Sequence, residues 1–119
     1  MVAFRLAPGQ ARRVVREFCE TAGLADTAIS DIVLCVSEAV SNVVLHAYRG
    51  DEPGNVAVHA HVNDHLCIHV RDEGQGMTPR TDSPGLGLGL PIIAQLAESL
   101  EVRTPGEGGT EIIMKFALG

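Results

Sequence analysis

Two runs of strict alternation, their apolar series separated by three residues, constrain this chain more than any other feature. Val56, Val58, Ala60 and Val62 alternate with Ala57, His59, His61 and Asn63, and Leu66, Ile68 and Val70 alternate with Cys67, His69 and Arg71. Successive side chains of a strand leave opposite faces, so each run has one apolar face and one mixed face. Both apolar series reach the same core only if Val62 pairs with Leu66, because a slip of one residue would turn one set towards water. That register sets His61 beside Cys67 and His59 beside His69. A hairpin with one apolar face needs a second layer to cover it.

The rest of the chain supplies that layer. Val2 to Leu6 reads as a short strand, ended by Pro8 and Gly9. Ala11 to Ala22 is periodic, with Val14, Val15, Phe18, Cys19 and Ala22 on one side, and Gly23 is placed to cap it. From Thr27 to Tyr48 the apolar residues Ile29, Ile32, Val33, Val36, Val40, Val43, Val44 and Ala47 recur at three and four, which predicts a long helix. Its many valines are poor helix formers, so packing must hold it. Gly50 to Gly54 is a turn, Gly74 to Pro84 a loop, and Leu88 to Leu100 a helix with Pro91 near its start. Glu101 to Thr104 reads as a strand, and Thr110, Ile112, Met114, Phe116 and Leu118 alternate on a last one. The order is that of an α+β protein: a two-layer α/β sandwich, with a mixed, mostly antiparallel sheet and helices on one face. The other face carries His59, His61, His69, Arg71 and Lys115 and is partly polar, as such a sheet permits.

With 119 residues the chain is expected to form a single domain over 1–119. Its formal charge is −6, and Lys115 is its one lysine, so no basic surface is available to replace counterions on nucleic acid. The basic cluster Arg12, Arg13 and Arg16 is interrupted by Glu17 and Glu20. Cys19, Cys35 and Cys67 are odd in number and lie in apolar or strand-like settings, which favours a reducing compartment. No apolar run reaches membrane-spanning length. The expected location is the cytoplasm, with no nucleic acid and no membrane as partner.

Three short motifs carry the chemistry. Glu38 and Asn42 are four apart in Glu38-Ala39-Val40-Ser41-Asn42-Val43-Val44-Leu45-His46, and so share a helix face. An amide oxygen is a good hard ligand for Mg²⁺, and an acid beside it could polarise a hydroxyl or water near a terminal phosphate. Taken alone, the pair reads more simply as the wet side of an amphipathic helix, and His46 as a helix-end residue. Asp72 continues the inward series of Leu66, Ile68 and Val70, where a carboxylate needs a hydrogen-bonding partner. An adenine amino group would serve, as would the backbone amides of the turn Asp72-Glu73-Gly74-Gln75-Gly76. Thr110 begins the inward series of the last strand and could share that pocket.

Gly85-Leu86-Gly87-Leu88-Gly89-Leu90 has glycine at every second position before a helix. Backbone amides without side chains can approach phosphates there. No Lys-Ser or Lys-Thr follows, and a loop rather than a strand leads in, so neither the Walker pattern nor the dinucleotide fingerprint applies. Arg80 is the only cation in the loop before it. It could reach a terminal phosphate, although a solvated arginine is the simpler reading. His59, His61, Cys67 and His69 are four potential zinc ligands on one sheet face. A flat face seldom brings ligands to tetrahedral convergence, so a solvated or partner-facing surface, shared with Ile113, is favoured.

Taken together, these residues resemble the ATPase and kinase superfamily that includes gyrase, Hsp90, histidine kinases and MutL. Within it, the chain looks most like the bacterial anti-sigma factor serine/threonine kinases. Glu38 to His46 is similar to the family's asparagine box, Asp72 to Gly76 to its first glycine box, Gly85 to Leu90 to its second, and Gly108-Gly109-Thr110 to its final glycine-threonine element. The resemblance implies the Bergerat ATP-binding fold, with ATP and Mg²⁺ as cofactors. It implies Asn42 on Mg²⁺, and Glu38 as base or orienter of the acceptor hydroxyl, with Arg80 left to meet the terminal phosphate. The nucleotide would be held by Asn42, His46, Asp72, Gly74, Gly76, Gly85, Leu86, Gly87, Leu88, Gly89 and Thr110. The implied partners are a small anti-sigma factor antagonist of the STAS type, a sigma factor, or both, with a homodimer possible. A non-catalytic ATP-binding regulatory module, or the ATP-binding domain of a larger signalling protein, would carry the same motifs.

Overall fold

The computed structural model describes residues 2–6, 8–47, 56–72, 90–103 and 110–118. Strand β1 (Val2–Leu6) leads through a 3-10 turn (Pro8–Gln10) into helix α1 (Ala11–Thr21) and helix α2 (Asp26–Ala47). The hairpin strands β2 (Val56–Val62) and β3 (His65–Asp72) follow, then helix α3 (Leu90–Leu96) and strands β4 (Ser99–Arg103) and β5 (Glu111–Ala117). The sheet order is β1-β2-β3-β5-β4. All four pairings among the described strands are antiparallel, so the parallel pair that a mixed sheet would contain is not among them.

The hairpin register follows from the alternation. Val62 pairs with Leu66, His61 with Cys67, and His59 with His69. Leu66, Ile68 and Val70 are fully buried, as are Val56, Val58, Ile112 and Met114 on the neighbouring strands. α2 lies across this face and contacts β2, β3 and β5. Its predicted apolar positions Ile29, Ile32, Val33, Val36, Val40 and Val43 are all buried, while Leu34 on its far side is 43% exposed. Tertiary burial therefore holds a valine-rich helix that would be marginal alone.

Gly23 closes α1 in a left-handed turn with φ of 83°. Its N–H donates to the Glu20 carbonyl at 3.1 Å and the Leu24 N–H to the Cys19 carbonyl at 3.2 Å, the paired bonds of a Schellman cap. Ala22, expected on the apolar side of this helix, lies just beyond its end and is exposed.

The predicted helix from Leu88 to Leu100 is shorter than the apolar spacing suggests. It ends at Leu96, after which the Glu98 N–H donates to the Lys115 carbonyl at 2.7 Å. Ser99 then pairs with Lys115, and Leu100 and Val102 face Met114 and Ile112. The open edge of β5 offers unpaired backbone groups, and pairing with them overrides the helical spacing of Leu96 and Leu100. Among the described residues, no helix is long and apolar enough to cross a membrane.

Candidate functional site

The best-described part of the predicted site lies on the C-terminal half of α2. Its N-terminal half packs elsewhere: Ala28, Asp31 and Ile32 line a groove with Leu96, Ala97, Glu98, Phe116 and Ala117, at the end of β5 opposite to Thr110. At about 1.5 Å of rise per residue, Asn42 stands about 16 Å along the helix from Asp31.

Asn42 is 3% exposed, one of two buried polar residues among those described, the other being Thr110. Its Nδ2 donates to the backbone carbonyl of Glu38 at 2.8 Å. This bond anchors the amide one turn back and fixes which end of it is free. The free end, Oδ1, is buried and has no hydrogen-bond partner among the described residues. A buried polar atom left unpaired costs on the order of 1–3 kcal/mol. Glu38 is half-buried on the same helix. It adds to the forces that push the Cys35 thiol up to about 11, after burial and the Asp31 carboxylate.

Asp72 ends β3, where its register partner on β2 is Val56. On the other side, Arg71 pairs with Glu111 of β5. Thr110, the residue before Glu111, is 9% exposed. The burial of Thr110 fits the inward series expected of the last strand.

The backbone of His46 lies within α2. Its side chain and that of Asp72 fall outside the described residues, as do Gly74, Gly76, Arg80, Gly85, Leu86, Gly87, Leu88 and Gly89. The second glycine motif is described only from Leu90, which opens α3.

On the opposite sheet face, His59, His61, His69, Arg71 and Glu111 line a groove of about 340 Å³. Glu111 Oε2 lies 3.3 Å from His69 Nδ1, and Cys67 Sγ lies 3.5 Å from His69 Nε2. Among the described residues, no three His, Cys, Asp or Glu side chains are placed to hold a metal ion. Glu111 is absent from the sequence-derived candidates. Alternation puts it on this face, but only the pairing of β5 with β3 brings it to His69.

A family model described as the histidine kinase-like ATPase domain matches residues 5–116. Anti-sigma F factor of Caldanaerobacter subterraneus is 33% identical over 119 aligned residues, covering 89% of this chain and 82% of that protein. Anti-sigma F factor of Clostridium acetobutylicum is 35% identical over 104 residues, covering 76% and 72%. The fold is similar to that in a crystal structure of the RsbU and RsbW domains of a Mycobacterium tuberculosis protein, with a TM-score of 0.74 and 24% identity. That match covers 98% of this chain, which spans 31% of the mycobacterial one. A crystal structure of the SiaB–SiaC complex from Pseudomonas aeruginosa matches at a TM-score of 0.59 and 12% identity, covering 99% of this chain and 90% of the other.

Proposed function

This chain belongs to the histidine kinase-like ATPase domain family, and from that premise we propose that it is an ATP-binding anti-sigma factor that also phosphorylates a serine or threonine on a small antagonist protein. The observation that carries this reading is the buried Oδ1 of Asn42, which has no hydrogen-bond partner among the described residues and is held one turn from Glu38. An amide oxygen without a proton donor suits a hard cation, so the residue present fits Mg²⁺. Asn42 would hold the ion, which when bound sets positive charge against phosphate oxygens.

Glu38 is the acid in this scheme. It takes the proton of the acceptor hydroxyl or aligns that hydroxyl for attack. Asp72 and Thr110 meet the adenine edge, the carboxylate accepting from the amino group. Gly74, Gly76 and the run Gly85, Leu86, Gly87, Leu88 and Gly89 offer backbone amides to the phosphates, His46 borders the same pocket, and Arg80 meets the terminal phosphate. The whole of 1–119 acts as one ATPase domain.

The names of the similar anti-sigma F factors support a sigma factor as one partner, and the resemblance of the motifs suggests an antagonist of the STAS type as the other. A partner in transcription puts the protein in the cytoplasm, and a homodimer is the proposed assembly.

The test is incubation of the protein with labelled ATP, Mg²⁺ and a cognate antagonist. Transfer to the antagonist, lost in Glu38→Gln, is expected. Tight ATP binding with no transfer by the wild type would leave a non-catalytic regulatory module. No nucleotide binding at all would overturn the whole reading.

A further inference from the structure

The open face of the sheet holds a second group of reactive side chains that the nucleotide site does not use. Cys67, His69 and Arg71 follow one another at alternate positions on β3. His61 pairs with Cys67 from β2 and Lys115 pairs with it from β5. Within this group, two contacts join end to end. Glu111 Oε2 is 3.3 Å from His69 Nδ1, and His69 Nε2 is 3.5 Å from Cys67 Sγ. A neutral imidazole has one N–H and one lone pair. With the Nδ1 proton given to the Glu111 carboxylate, Nε2 keeps the lone pair and faces the thiol. The His69 and Glu111 side chains are 29% and 19% exposed, and both border the open groove of this face. A nucleophile within reach of a base, with the base oriented by a third group, is the general form of an activated nucleophile.

We propose that Cys67 is a nucleophilic modification site that reacts with low-molecular-weight disulfides, with His69 as its base and Glu111 as the positioning residue. His69 Nε2 takes the thiol proton, and the Cys67 sulfur bonds to one sulfur of the disulfide. The disulfide's own sulfur–sulfur bond breaks, and the leaving thiolate takes the proton back from His69. One disulfide is replaced by another, one free thiol is released, and no net oxidation occurs.

The other cysteines serve as internal controls. Cys19 and Cys35 are fully buried, and burial pushes both thiols up to about 11. Cys67 is partly exposed. Burial also raises its thiol, against which the Lys115 ammonium works. It therefore keeps its proton at neutral pH, and fast reaction needs a local acceptor. The charged and titratable groups around the pair are His59 and His61 on β2, His65 and Arg71 on β3, Glu111 and Lys115 on β5, and Glu101 and Arg103 on β4, where Arg103 pairs with Glu111.

The folded protein is mixed with dithiodipyridine, a neutral aromatic disulfide, and labelling is followed by absorbance and located by mass spectrometry. One equivalent is expected, at Cys67, with none in Cys67→Ser. His69→Ala should slow labelling at pH 7 by at least about tenfold. The wild-type rate should level off once its base is neutral, while the variant's rate climbs steadily with pH. Glu111→Gln should shift that profile and slow the reaction less. Equal rates in the wild type and His69→Ala, or labelling spread over all three cysteines, would overturn the proposal. Should His69→Ala fail to fold, the wild-type profile decides: a steady climb with no levelling between pH 6 and 9 sinks the idea.

Discussion

Asn42 Nδ2 donates to the Glu38 backbone carbonyl at 2.8 Å, and Asn42 Oδ1 is left buried without a partner among the described residues. The bond ties the two residues of the first motif through the main chain of one and the side chain of the other. The Glu38 carboxylate and the Asn42 oxygen take no part in that bond, so separate substitutions can test the roles proposed for them.

Replacing Asn42 by Leu removes the orphaned oxygen and keeps the volume. Its thermal stability without nucleotide should match the wild type or exceed it by about 1 kcal/mol, since the lost bond to Glu38 is offset by relief of the unpaired group. Nucleotide affinity in Mg²⁺ should fall by at least about tenfold, equivalent to 1.4 kcal/mol. Calorimetric melting and titration of the same sample read both. A variant that binds ATP normally would remove Asn42 from the site.

Glu38→Gln keeps the shape of the side chain and removes its basicity. Nucleotide affinity should stay within about threefold of the wild type, and transfer to an antagonist should drop by about 100-fold or more. Equal losses in binding and transfer would assign Glu38 to holding the nucleotide instead.

Gly23→Ala tests the cap of α1. No atom lies within 4 Å of the added methyl, so the cost comes from the backbone at φ of 83° alone. A loss of about 1 kcal/mol in urea unfolding is expected. An unchanged midpoint would mean that the turn relaxes to a right-handed form.

The buried thiols predict sensitivity to base. Cys19 and Cys35 are held near 11 against an ordinary value of 9.0, first by burial, with Glu20 adding to the rise at Cys19 against Arg16, and Asp31 and Glu38 adding at Cys35. The fold favours the protonated thiol, so this stabilisation is complete below about pH 9 and is lost as pH rises through about 11. Each thiol accounts for on the order of 2–3 kcal/mol over that window. Unfolding of Cys19→Ala/Cys35→Ala, compared with wild type at several pH values, should show lower stability at pH 8 and a flatter decline above pH 9. Parallel declines would locate the alkaline transition elsewhere.

Much of this architecture is local in origin. Alternation over residues 56–70 determined the hairpin, its register and the juxtaposition of His59 with His69, because a period of two admits one pairing that buries both apolar series. Spacing of three and four determined α2 and its buried face, and Gly23 determined where α1 stops. The three motifs and their order pointed to a nucleotide, which the family match supports.

What lay beyond the sequence depends on which strand meets which. Leu96 and Leu100 satisfy helical spacing equally well, and only the free edge of β5 draws Ser99 to Arg103 into the sheet. Glu111 reaches His69 because β5 lies beside β3, between β3 and β4. Local periodicity sets which face a residue occupies, and a short hairpin connection lets it set register as well, but it does not say which strand distant in sequence lies alongside. The Asn42 oxygen shows the same division: its position on a helix is written in a spacing of four, and its loss of water is decided by the packing of that helix on the sheet.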